Sequence, residues 1–193
     1  EILRQPLEDK VIRISRVYGT YDFPADFMLC AAMNPCPCGH YPDMNRCRCT
    51  PAQVMQYLGR ISQPLLDRLD LCAEVSPVDF EGLSSGRKGE STQTIRERVI
   101  CAQDIQRERY KIEGIQFNGE LSGAQIEKYC KMEKDARQLL KMAFQNMPFS
   151  ARAYHRILKV ARTIADMEAT ESIHRHHIAE ALSYRAFDKK YWN

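Results

Sequence analysis

Four cysteines fall within Cys36–Cys49 as two C-x-C pairs, Cys36/Cys38 and Cys47/Cys49, with eight residues between the pairs. Four thiolates can close a tetrahedral zinc site, and a loop too short for a core of its own gains its order from the metal. Pro35, Pro37 and Gly39 shape tight turns that let backbone pass close to an ion. The one-residue gap is tighter than the usual two to four, so four reduced thiols in a polar loop stand as the other reading. His40 is either a substitute ligand or a solvated loop histidine. A site closed by four sulfurs keeps no open position, so its role is structural and not catalytic.

A second set of residues suits phosphate chemistry. No Gly-x-x-x-x-Gly-Lys-Ser/Thr occurs, so nothing in the chain cradles a triphosphate. Asn34, however, ends an apolar run just before Pro35, where a neutral polar group can be fixed at a strand end. Arg68 sits in Leu65-Leu66-Asp67-Arg68-Leu69-Asp70 and offers an always-charged guanidinium. Arg152 lies in the first turn of a helix capped by Ser150, where free amides favour an anion. Taken singly, Asn34 reads equally as a turn residue, Arg68 as half of a surface ion pair, and Arg152 as solvated.

These residues need a frame. Residues 1–9 read as the end of a helix broken by Pro6. Lys10–Arg16 alternates as a half-buried strand, and Tyr18–Phe23 returns as its hairpin partner, with Gly19 in the turn. Phe27–Met33 and Leu71–Val75 are continuous apolar runs, the pattern of strands buried on both faces. Residues 51–66 carry helical pattern from Pro51 onward. Gly, Ser and charge over 79–90 mark a linker. Beyond it everything is helical. Ile95, Val99, Ala102 and Ile105 face one way over 92–110, and Ser122 with Gln125 caps 122–130. Further helices follow over 132–146, 151–168 and, capped by Ser172, 173–186.

Composition agrees with a globular chain. Of its 193 residues 44% are hydrophobic and 27% charged, and the net charge of +3 does not argue for nucleic acid by itself. No apolar run is long enough to span a bilayer, and no secretory leader opens the chain, so a cytoplasmic protein without disulfides is expected. Cys30, Cys72, Cys101 and Cys130 then read as small buried hydrophobes.

In order along the chain, Ala31-Ala32-Met33-Asn34-Pro35-Cys36-Pro37-Cys38-Gly39, Pro64–Asp70 and Ser150-Ala151-Arg152-Ala153 resemble the magnesium-chelatase-like branch of the AAA+ ATPases. They most resemble its ComM/YifB family. The resemblance implies an α/β fragment of an AAA+ core over 1–78, with a few strands, a hairpin and the four-cysteine insert at 34–51, followed by an all-α lid over 91–193. It implies sensor 1 at Asn34, a trans-acting arginine finger at Arg68 and sensor 2 at Arg152. Arg13 and Arg16 on the hairpin are either DNA phosphate contacts or its wet face. The Walker A and B motifs would lie upstream of Glu1, so the 193 residues alone are expected to be inactive toward ATP and Mg2+. The apolar strands would leave open edges, so self-pairing or disorder is expected in the first third of the chain. The parent is expected to be a hexameric, ATP-driven DNA branch-migration motor. A magnesium chelatase motor subunit serving a porphyrin, and a zinc-stabilised binding module with no ATPase role, are the alternatives.

Overall fold

A computed structural model describes residues 2–76, 80, 84, 86, 89–147 and 149–185. They divide into two compact units, one ending at Leu69 and one beginning at Asp70. Most of the expected 79–90 linker lies outside the described residues, as does the end expected for the last helix at 186. Among the described residues no helix is long and apolar enough to cross a membrane.

The first unit contains α1 (Arg4–Asp9), a hairpin of β1 (Val11–Arg16) and β2 (Gly19–Pro24), α2 (Pro51–Leu58) and α3 (Gln63–Leu66). Pro6 does not break α1. It sits in the first turn, where a missing N–H removes no intrahelical bond, and the helix ends at left-handed Lys10, whose N–H donates to the Pro6 carbonyl at 3.1 Å. The hairpin pairs Ile12 with Phe23 and Ile14 with Tyr21, and on the opposite face Arg13 with Asp22 and Ser15 with Thr20. Both faces are exposed, because a two-stranded ribbon has no layer to pack on. The helical pattern over 51–66 resolves into two helices. Thr50 and Gln53 form a capping box on α2, Gly59 ends it, and Pro64 opens the next turn.

Phe27–Met33 and Leu71–Val75 are not strands: Met28 is 92% and Val75 88% exposed. A strand buried on both faces needs ladder partners and a layer on each side, and the only sheet among the described residues is β1–β2. Cys30 is exposed for the same reason, and Cys101 is exposed too, so of the four scattered cysteines only Cys130 is fully buried.

The second unit is all-helical: α4 (Thr92–Arg109), a 3-10 turn at Asn118–Glu120, α5 (Gly123–Tyr129), α6 (Lys134–Asn146), α7 (Ala151–Met167) and α8 (Arg175–Ser183). Its core packs Leu121, Ile126, Leu140, Ile157, Leu158 and Ile178. Ser122 with Gln125 caps α5, and Ser150 caps α7, accepting from the Ala153 N–H at 3.1 Å. The cap of α8 is His174, not Ser172; its N–H donates to His177 Nδ1 at 3.0 Å. The apolar stripe of α4 is covered only from Ala102 onward, and Ile95 and Val99 stay exposed.

A buried polar network ties α4 to α7. Asp166, fully enclosed, accepts from Arg109 at 2.9 Å, from Arg162 Nε at 3.1 Å and from Asn118 Nδ2 at 2.8 Å. Arg162 also donates to the Thr170 and Glu171 carbonyls, each at 2.5 Å, and Tyr110 donates to Asn118 at 2.6 Å. Removing the carboxylate leaves the enclosed Arg162 guanidinium without its counter-charge and takes away the partner of Arg109. Asp166→Ala is therefore expected to destabilise the second unit by about 3–5 kcal/mol in urea unfolding, whereas Asp104→Ala, at an exposed pair with Arg107, should cost about 0–1 kcal/mol. Glu113 supplies a pH handle. Hydrogen bonds from Lys128, Tyr129 and Gln125 hold its carboxyl down at about 2, against 4.5 unperturbed. A depressed folded value gives stability that is complete above about 4.5 and lost as pH falls toward 2. Acid unfolding followed by circular dichroism should show this slope, and Glu113→Gln should flatten it.

Candidate metal centre and phosphate-sensing residues

The loop between the hairpin and α2 winds the four thiols into one cluster. The Gly39 N–H donates to the Cys36 carbonyl at 3.0 Å, and the Cys47 N–H to the Asp43 carbonyl at 2.8 Å, so the first C-x-C pair lies within a turn and the second follows one. Gly39 has φ +81, a left-handed conformation that favours glycine, and a Cβ there would sit 3.7 Å from the Asn34 side chain. Val54 and Leu58 of α2 pack with buried Cys36, and the other three cysteines, Tyr41 and Tyr57 pack partly buried against this small core.

All four Sγ atoms lie within 4.8 Å of one another. The Cys36–Cys38, Cys38–Cys47 and Cys36–Cys47 separations are 3.4, 3.6 and 3.8 Å. A zinc–sulfur distance of about 2.3 Å gives a tetrahedral S···S edge of about 3.8 Å, so the donor set fits zinc. Backbone amides reinforce the anionic form. Those of His40 and Arg48 point at Cys38 and hold its thiol down at about 6. The Tyr41 N–H lies 3.4 Å from Cys36 Sγ. Cys49 goes the other way: the Cys38 backbone favours its thiolate, but burial and the neighbouring sulfurs push it up to about 12. Sulfurs this close cannot all ionise without a cation among them. His40 contributes its amide, and its ring is outside the sulfur cluster.

Asn34 is exposed at the edge of the knuckle, beside Gly39 and not at the end of a strand. Arg68, in the same unit, has only 11% of its side chain exposed; it donates to the Pro64 carbonyl at 2.6 Å and pairs with Glu8 of α1. Arg152 is exposed in the first turn of α7, in the second unit. Arg156, one turn further along α7, pairs with Asp70. Arg13 bridges to Asp22 through Nε and Nη2 at 2.7 and 2.9 Å, which offsets its charge and raises its own pKa; Arg16 is exposed.

One cluster escaped the sequence reading. Glu168 Oε2 lies 2.9 Å from His176 Nε2 and 3.0 Å from His177 Nε2, and these hydrogen bonds lower the Glu168 pKa. Because His177 Nδ1 accepts from His174, its Nε2 carries the proton and donates to Glu168. No lone pair is left there for a metal, so the group acts as a clasp between the end of α7 and the start of α8. The closely spaced His174, His176 and His177 were its only visible sign.

Residues 1–83 match the family described as magnesium chelatase, subunit ChlI, and residues 89–185 match its C-terminal counterpart, magnesium chelatase, subunit ChlI C-terminal. The chain belongs to this magnesium-chelatase-like family. It is 44% identical to YifB of Salmonella typhimurium over 191 residues, which is 98% of this chain and 37% of that protein. It is also 44% identical to the competence protein ComM of Haemophilus influenzae over 187 residues, 96% of this chain and 36% of that protein. YifB of Escherichia coli is 41% identical over 191 residues. The chain thus spans little more than a third of the length of these relatives.

The sulfur geometry sets a direct expectation. Protein purified under reducing conditions should carry one zinc per chain, cobalt substitution should give thiolate-to-metal charge-transfer absorption, and Cys38→Ser should abolish both. Binding displaces thiol protons, so affinity should fall as pH is lowered.

Proposed function

We propose that the chain is the C-terminal part of a ComM-like AAA+ ATPase that moves DNA branches during recombination or transformation, as a hexamer in the cytoplasm when complete. The observation that carries this reading is the match along nearly the whole chain to relatives that include a competence protein. On this reading 1–78 belongs to the α/β core, 79–90 links it to a helical lid at 91–193, and the apolar runs Phe27–Met33 and Leu71–Val75 pair with strands supplied by the rest of the parent. The Cys36/Cys38/Cys47/Cys49 site holds structural zinc. ATP and Mg2+ act in the complete protein.

Each residue then has a task. Asn34 orients the attacking water, and Arg152 senses the phosphates from the first turn of α7. Arg68 exchanges Glu8 for the γ-phosphate of a neighbouring subunit, stabilising charge that develops as phosphate leaves. Arg13 and Arg16 contact DNA phosphate from the hairpin, Arg13 by releasing Asp22. The 193 residues contain no Gly-x-x-x-x-Gly-Lys-Ser/Thr and should turn over no ATP alone.

A second reading rests on the family description itself: a motor subunit that drives magnesium insertion into a porphyrin. The full-length protein separates the two. Branched DNA should stimulate its ATPase, and Arg68→Ala should lower kcat by about 10³-fold or more while leaving the chain folded. Metal insertion into porphyrin without DNA stimulation would favour the chelatase. A full-length protein with no ATPase under either condition would leave the zinc-stabilised binding module as the surviving account.

A further inference from the structure

The second unit carries a half-open groove of about 500 Å³ between α5, α6 and α7, within the ~300–1,000 Å³ typical of binding concavities. Its floor, the pit of the groove, is apolar: Ile126, Leu140 and Leu158 line it and are each no more than 3% exposed. Arg137 and Lys141 stand on one wall, four residues apart on α6 and so on one face. Glu127 is the single carboxylate in the lining. Among the described residues neither Arg137 nor Lys141 is in an ion pair, whereas Arg107, Arg109, Lys128, Arg156 and Arg162 of the same unit all are.

We infer that this groove docks an acidic amphipathic segment of a partner protein, with one large apolar side chain in the pit and carboxylates on Arg137 and Lys141. An apolar pit under a basic rim fits the anchor-and-flank pattern of peptide recognition. Nucleic acid fits less well. The lining has two exposed rings, Tyr154 and His155, which is a short platform for stacked bases. The two cations also sit on one helical turn and form no track along a backbone. The inference is independent of the ATPase reading, since nothing in it requires nucleotide.

The test uses the 193-residue chain and three fluorescein-labelled probes: a Glu/Leu peptide with one central Phe, the same peptide with Lys for Glu, and a thymidine oligonucleotide. Anisotropy should show binding of the acidic peptide alone, weakening with added salt. Replacing its Phe by Ala, or making Arg137→Glu with Lys141→Glu in the protein, should each weaken binding at least about ten-fold. Both protein positions are exposed, so helical circular dichroism should be unchanged in the variant. Equal binding of the acidic and basic peptides, or binding indifferent to the double variant or to the Phe, would overturn the proposal. So would oligonucleotide binding, or a chain dimer, lost in the double variant when the acidic peptide does not bind.

Discussion

Up to Leu69 the buried side chains are few: Pro6, Cys36, Val54, Leu58 and Leu66. Cys36 is the buried member of the sulfur cluster, and Val54 and Leu58 pack with it. So little buried apolar surface does not offset the entropy of ordering a long loop. The constraint that the first unit depends on is therefore the four-sulfur cluster, whose close-set thiols repel one another as thiolates and would become a crosslink on binding one ion. The loop from Asn34 to Thr50 winds around that cluster, and α2 packs on it through Val54 and Leu58.

The second unit is held differently. Its helices bury a continuous aliphatic core, and the Asp166 network sets how α4 lies against α7. A buried carboxylate shared by two guanidinium groups contributes little net stability over an apolar replacement, but it tolerates few arrangements and so favours one register. Arg152 opens the same helix that carries Arg162 and Asp166, so the buried network also anchors the helix that presents it.

Local signals were legible in the sequence. The cysteine spacing, the hairpin and the caps at Ser122 and Ser150 are short-range, and the structure shows each of them. Tertiary requirements were not. Phe27–Met33 reads as a buried strand because its composition is that of one, yet composition supplies no ladder partner. Pro6 reads as a breaker because its place in a helix is unknown until the helix start is known. The Asp166 network joins residues 48 and 57 positions apart, which no local period reveals. Asn34, Arg68 and Arg152 became readable as a set only through their order and flanks.

Hydrogen–deuterium exchange on the chain before and after zinc chelation tests the central claim most directly. If the sulfur cluster organises the first unit, chelation abolishes amide protection across residues 36–58 and leaves α7 protected. Protection of 36–58 that survives complete removal of the metal would contradict the account.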